Sequence, residues 1–185
     1  VIFISYFLLF LKTINAQNPF YKTFGLTNGF PCSTVYDVYQ SKNGLIWFAT
    51  DVGLYSYDGF DVKNQINNYP FDKSVTNILE DSSGKIWCQS FKGIFYYTQG
   101  DSLVIEPSIS QKNKFYAAQM LKGNILASIT KQGVNLFNTS TKKNTSVTIP
   151  EFNVVIPSYN DNETLVLRGY FGDKTFFISP DGKYK

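Results

Sequence analysis

Between Val35 and Ile66 the chain is written in short apolar runs cut by turn residues. Val35 to Gln40 and Leu45 to Thr50 are β-prone runs on either side of Asn43-Gly44, a pair that tolerates positive φ. That spelling predicts a hairpin with a two-residue type I′ turn. Asp51-Val52-Gly53 then reverses the chain into Leu54 to Tyr57, and Asp58-Gly59 reverses it again toward Phe60 to Ile66. The run Leu45-Ile46-Trp47-Phe48-Ala49 does not alternate apolar with polar, so the second strand is expected to be covered on both faces.

The pattern recurs with a period of 40 residues. Gly44 and Gly84, Trp47 and Trp87, Gly53 and Gly93, and Tyr57 and Tyr97 fall in the same places, as do Val35 and Val75 upstream. A third copy keeps Gly133 and puts Phe137 at the tyrosine position, but has Ala127 where tryptophan would be. A fourth is legible in outline as Phe152 to Ser158, Leu165 to Arg168 and Thr175 to Ser179, followed by the turn Pro180-Asp181-Gly182. Units of this length with four strands each, covered on both faces, predict an all-β chain forming a β-propeller of four-stranded antiparallel blades. The expected blades are 35–66, 75–105, 115–149 and 152–185, an incomplete N-terminal portion of about four blades. Ala117 to Leu121 would suit a helix by propensity, but the repeat places an innermost strand there.

Gly44, Trp47, Thr50, Gly53, Leu54, Tyr57, Asp58 and Gly59 together resemble the two-component regulator propeller repeat, and Phe24 to Pro31 followed by Val35 to Val38 resembles its usual opening. The likeness is close in the first unit, fair in the second and weak in the third. It implies the extracytoplasmic sensor region of a bacterial sensor histidine kinase or hybrid two-component system, often from Bacteroidetes. It also implies a small-molecule or oligosaccharide cue, such as a polysaccharide fragment. Further blades and downstream kinase domains are the implied partners, with a homodimer as a further expectation. A secreted interaction scaffold without a kinase is the alternative, and a propeller lyase or glycosidase a third reading.

Val1 to Leu11 is almost unbroken apolar sequence, and Ala16 closes the polar stretch behind it, so residues 1–16 read as a signal peptide and 17–185 as the exported propeller portion. The full-length protein is then expected to be anchored in the inner membrane. Phe20 to Phe24 reads as a strand that closes the last blade of a ring, or as a leader strand.

Composition narrows the chemistry. The sequence has no histidine, which removes Ser-His-Asp and Cys-His catalysis, His-ligated metals and a kinase's own phospho-acceptor from this chain. No catalytic residue, metal or cofactor is expected. A net charge of +3 without a basic stripe disfavours nucleic acid. Cys88 takes the place of Phe48 in the repeat and reads as a small buried apolar residue; a bridge to Cys32 is the other possibility. Asp51, Asp58, Asp61, Asp72 and Asp81 sit in predicted turns and read as backbone partners. Tyr36, Tyr39, Tyr55, Tyr57, Tyr96 and Tyr97 have rings suited to sugars, although repeated aromatics first of all serve packing between blades.

Overall fold

The computed structural model describes residues 21–26, 30–65, 73–110, 117–130, 132–149, 155–160, 164–169 and 175–185. The apolar segment 1–16 lies outside them, as does Asp72. Among the described residues, fifteen strands form four antiparallel sheets. The first contains β1 (Val35–Gln40), β2 (Ile46–Thr50), β3 (Gly53–Tyr57) and β4 (Val62–Asn64). The second contains β5 (Val75–Glu80), β6 (Ile86–Ser90), β7 (Phe95–Gln99) and β8 (Ser102–Ile105). The third contains β9 (Ala118–Leu121), β10 (Ile125–Thr130), β11 (Gly133–Asn138) and β12 (Asn144–Thr148). The fourth contains β13 (Val155–Asn160), β14 (Thr164–Gly169) and β15 (Thr175–Ile178). Each is a meander in chain order, and β9, where propensity favoured a helix, is a strand. Among the described residues the sheets do not close into a ring.

Their faces explain the non-alternating second strands. Trp47, Ala49 and Leu54 pack against Val75, Ile78, Ile86, Cys88 and Tyr96 of the second sheet. The opposite face of that sheet sets Trp87 and Phe95 against Ala118, Leu126 and Phe137 of the third. Ala127, Ile129, Val134 and Leu136 then meet Leu165, Leu167 and Ile178 of the fourth. Burying one aliphatic or aromatic side chain of this size contributes about 1.5–3 kcal/mol, so these three interfaces hold the stack together. The first strands β1, β5 and β9 are successive neighbours and form the inner edge.

Residues 21–24 take no strand conformation. Phe24 instead lies 5.4 Å from Phe30, 5.1 Å from Phe48 and 5.0 Å from Tyr57, ring centre to ring centre. With Phe30 and Cys32 it covers the face of the first sheet that points away from the second. Cys32 and Cys88 are both buried and unbridged, and burial pushes the Cys88 thiol up.

The expected type I′ turn at Asn43-Gly44 is corrected. Only Gly44 has positive φ, at 88°, and Asn43 does not. Gly44 N–H donates to Ser41 O at 2.8 Å and Ser41 N–H to Leu45 O at 2.9 Å. This is a three-residue connection, a type I turn followed by a left-handed glycine. The same pair of bonds closes Asp81 to Lys85, Ser90 to Ile94 and Ser179 to Lys183, with Gly84, Gly93 and Gly182 at positive φ. The side chain of the first residue completes it: Asp81 Oδ1 accepts from Ser83 N–H at 2.9 Å and Lys85 N–H at 3.1 Å.

That first position also holds the tryptophan. The Trp47 indole donates to Ser41 Oγ at 3.1 Å, and the Trp87 indole to Asp81 Oδ2 at 3.0 Å. In the third sheet both partners change together, since Ala127 replaces the indole and buried Leu121 replaces the acceptor. A buried N–H without an acceptor is costly, so losing the pair is tolerated where losing one member would not be.

Candidate functional site

The inner strands are joined by side chains that cross from one sheet to the next. Asp37 Oδ2 accepts from Ile78 N–H at 2.7 Å, and Asn77 Nδ2 donates to Ala118 O at 3.2 Å. Asp37 and Asn77 are one repeat apart, and each sits at a bulge in its inner strand. Asn77 has a φ of 59°, which asparagine accepts more readily than most residues. At the other end of the strands Glu80, itself buried, accepts from the Tyr39 hydroxyl at 3.0 Å and the Lys42 N–H at 3.0 Å. Burial, then the bond to Glu80, pushes the Tyr39 hydroxyl up to about 12. Ser82 N–H donates to Asn124 Oδ1 at 2.8 Å, so the turns of the second and third sheets are tied as well.

These crossings frame a cleft of about 590 Å³ where the inner strands of three sheets run into their first hairpin turns. Ile78, Leu79 and Met120 supply apolar wall, while Tyr39, Glu80 and Gln119 supply polar groups. Tyr39, Leu79 and Gln119 hold equivalent positions, lying opposite Trp47, Trp87 and Ala127. Gln119 is only 7% exposed, and its Oε1 has no hydrogen-bond partner. The cleft falls within the size range of small-molecule sites.

Of the tyrosines singled out in the sequence, Tyr39 alone reaches this cleft. Tyr55 and Tyr57 pack under Phe24 and Phe30, where the Tyr57 hydroxyl donates to Gly59 O and accepts from Lys22 Nζ at 2.7 Å. Tyr96 is buried between the first and second sheets. Tyr97 stacks 5.1 Å from Trp87 and carries Lys142 Nζ 4.7 Å from its ring centre. Tyr36 lies at the opposite end of β1, edge-on to Phe91 at 4.8 Å and 43% exposed.

Asp58 and Asp81 serve the backbone of their own turns, whereas Asp51 reaches across to Ser33 and Thr34. Asp58 Oδ1 accepts from the N–H groups of Phe60 and Asp61, both at 2.9 Å, and Asp51 Oδ2 accepts from Ser33 Oγ at 2.8 Å. Burial drives Asp81 upward, but the bonds from Ser83, Trp87 and Lys85 outweigh it and hold the carboxyl below its usual range. Among the described residues no cluster of three His, Cys, Asp or Glu side chains is placed to hold a metal ion.

Sequence reasoning passed over Asp37, Asn77, Glu80 and Gln119, although the repeat spacing of Asp37 and Asn77 was there to be read. It also passed over two members of the third unit. Thr130 donates to Gly133 O at 3.2 Å as Thr50 does to Gly53 O at 2.7 Å. Asn138 accepts from the N–H groups of Ser140 and Thr141 just as Asp58 does from its own turn.

Residues 29–52 match the two component regulator propeller family, the span that runs through Gly44, Trp47 and Thr50 of the first unit. Solved structures share the fold at low identity. Virginiamycin B lyase from Staphylococcus aureus is 16% identical with a TM-score of 0.65, over 80% of this chain and 53% of the lyase. The extracellular domain of a hybrid two component system from B. thetaiotaomicron is 17% identical with a TM-score of 0.63, over 89% of this chain and 26% of that domain. A second such domain from the same organism is 18% identical with a TM-score of 0.60, over 85% and 22%. The chain therefore spans about half the length of the lyase and about a quarter of the extracellular domains. No curated protein matches the sequence. The stacked sheets have the fold of β-propeller blades, and the stretch 29–52, which holds β1 and β2 of the first, is similar to the two component regulator propeller family.

Proposed function

We propose that this chain is part of an extracytoplasmic sensor propeller of a two-component system. It receives a small-molecule or oligosaccharide cue and passes the signal to kinase domains elsewhere in the protein. The observation that carries this reading is the regulator repeat over residues 29–52, set in a sheet whose inner strand borders the cleft. The extracellular sensor domains of matching fold support an extracytoplasmic location, with an exported start and an inner-membrane anchor as parts of the same proposal. The chain itself is read as non-enzymatic. Its likeness to the lyase is one of fold, and Asp51, Asp58 and Asp81 are occupied in turns.

The test is genetic. In the source bacterium, transcript profiles on a panel of polysaccharides are compared between cells with and without the intact gene. Loss of induction on one class of glycan with the gene deleted is the expected result. Identical profiles on every glycan would overturn the reading.

A further inference from the structure

We propose that three rings and a carboxylate between the second and third sheets form a binding site for a small organic cation of the quaternary-ammonium class, occupied in this structure by the protein's own Lys142. The proposal goes beyond the sensor reading and does not depend on it.

Trp87 of β6, Tyr97 of β7 and Phe137 of β11 come together where the two sheets pack, with the Trp87 ring 5.1 Å from Tyr97 and 5.9 Å from Phe137, centre to centre. Lys142 Nζ stands 5.1 Å from the Trp87 ring centre, 4.7 Å from that of Tyr97 and 5.4 Å from that of Phe137. Glu106, just beyond β8, accepts from the same ammonium through Oε2 at 2.7 Å, and Ser108 Oγ donates to its Oε1 at 2.6 Å. Ring faces attract a cation through their quadrupoles, and more strongly where water is kept away. Trp87 and Phe137 are fully buried, and the Glu106 side chain is 10% exposed, so rings and charge act in a sheltered place. An ion pair needs only the carboxylate. Three rings around one cation suit N-methyl groups, which press on aromatic faces and ask for no hydrogen bond.

Lys142 is a replaceable occupant. It comes from the hairpin between β11 and β12, its side chain is 46% exposed, and its φ is 61°. The matching hairpins of the first and second sheets put Gly59 and Gly100 at positive φ. A lysine there carries backbone strain that glycine avoids. An ammonium is strongly hydrated, so the lysine head can leave the rings for water. A ligand cation would then take the place of Nζ against Glu106, and the charge of the site would not change. Because Lys142 is tethered, its local concentration is high, which makes it a built-in competitor of the ligand.

The experiment is titration with choline at constant ionic strength, followed at the Trp87 indole N–H resonance, beside its uncharged isostere dimethylbutanol. Lys142→Gly removes the competitor and suits a φ of 61°, and is expected to bind choline at least about tenfold more tightly than the parent. Adding Glu106→Gln to that variant is expected to weaken choline by about tenfold, the scale of one lost charge contact. Dimethylbutanol is expected to bind Lys142→Gly at least about tenfold more weakly than choline. If Lys142→Gly fails to fold, Lys142→Asn, which also tolerates a left-handed φ, replaces it and is read in the same way. No response of Trp87 to choline in the variant, equal binding of choline and dimethylbutanol, binding that ignores Glu106→Gln, or parent binding as tight as the variant's would each overturn the proposal.

Discussion

The first and second sheets spell their middle hairpins with the same spacing, Thr50 to Gly53 and Ser90 to Gly93, yet fold them differently. Thr50 lies opposite Gly53, so two residues make the turn, and Thr50 Oγ1 accepts from Val52 N–H at 3.2 Å. Ser90 N–H bonds instead to Ile94 O at 2.8 Å, three residues make the turn, and Gly93 adopts a φ of 79° within it. Trp47 therefore faces Ser56, whereas Trp87 faces Tyr97. A one-residue slip exchanges the two faces of a strand. Tyr57 consequently lies on the face away from the second sheet, while Tyr97 stands on the same face as Trp87 and Tyr96 fills the interface with the first sheet. Identical spacing in two repeats fixes where the turns fall without fixing which way the next strand's side chains point.

The third sheet returns to the first sheet's form, and the largest predicted effect tests that. At Gly133, with a φ of 146°, an added Cβ would sit 2.0 Å from the Val147 carbonyl oxygen; at Gly53, with a φ of 139°, the nearest atom is 3.7 Å away. Gly53→Ala should cost about 1–3 kcal/mol of backbone strain. Gly133→Ala must in addition part β11 from β12, and should lower the melting temperature well beyond that or abolish cooperative melting. Equal losses at the two sites would break the comparison.

Next comes the turn itself. Writing the first sheet's turn into the second, as Ser90→Thr with Phe91→Asp and Lys92→Val, sets a two-residue turn against packing that needs Tyr96 in the interface. A loss on the order of 2 kcal/mol is expected in urea unfolding, since the strained turn and the packed face cannot both be satisfied. A variant as stable as the parent would show that the turn, and not the packing, is indifferent to register.

Smaller effects belong to the crossings between inner strands. Asp37→Ala removes a charge-assisted bond to Ile78 N–H and should cost about 1–2 kcal/mol. Asn77→Gly removes the weaker bond to Ala118 O while easing a φ of 59°, so its loss should be less than half as large. Reversal of that order would sink the assignment of Asp37 as the stronger tie.

The smallest is a dependence on acid. Burial drives Glu106 upward, but the hydrogen bond from Lys142 at 2.7 Å, with Ser108 beside it, holds the carboxyl below its ordinary value of 4.5. Its folded-state value is the depressed one, so the stabilisation is fully present above 4.5 and is lost as pH falls through the folded value. The parent should lose more melting temperature than Glu106→Gln on acidification below that point, by an amount limited by the exposure of Lys142.

Much of this architecture was legible from spacing alone. The period of 40, the four units and the strand at Ala118–Leu121 follow from apolar runs and glycine turns, because those are local requirements of chain reversal. The form of the first hairpin was not, since Asn43-Gly44 suits either a two-residue or a three-residue turn and the choice depends on the bond Ser41 makes to Leu45 O. Nor was the cleft, because Glu80, Gln119 and Lys42 come from three different sheets and meet only through stacking. Thr130 and Asn138 escaped notice because they preserve the chemistry of Thr50 and Asp58 after the tryptophan that flags the unit has gone.

Cross-strand Hα contacts measured by nuclear Overhauser spectroscopy test the central claim most directly, namely that equal spelling gives unequal register in neighbouring blades. The structure predicts Trp87 opposite Tyr97 and Trp47 opposite Ser56. Trp87 found opposite Tyr96, in step with the first sheet, would contradict it.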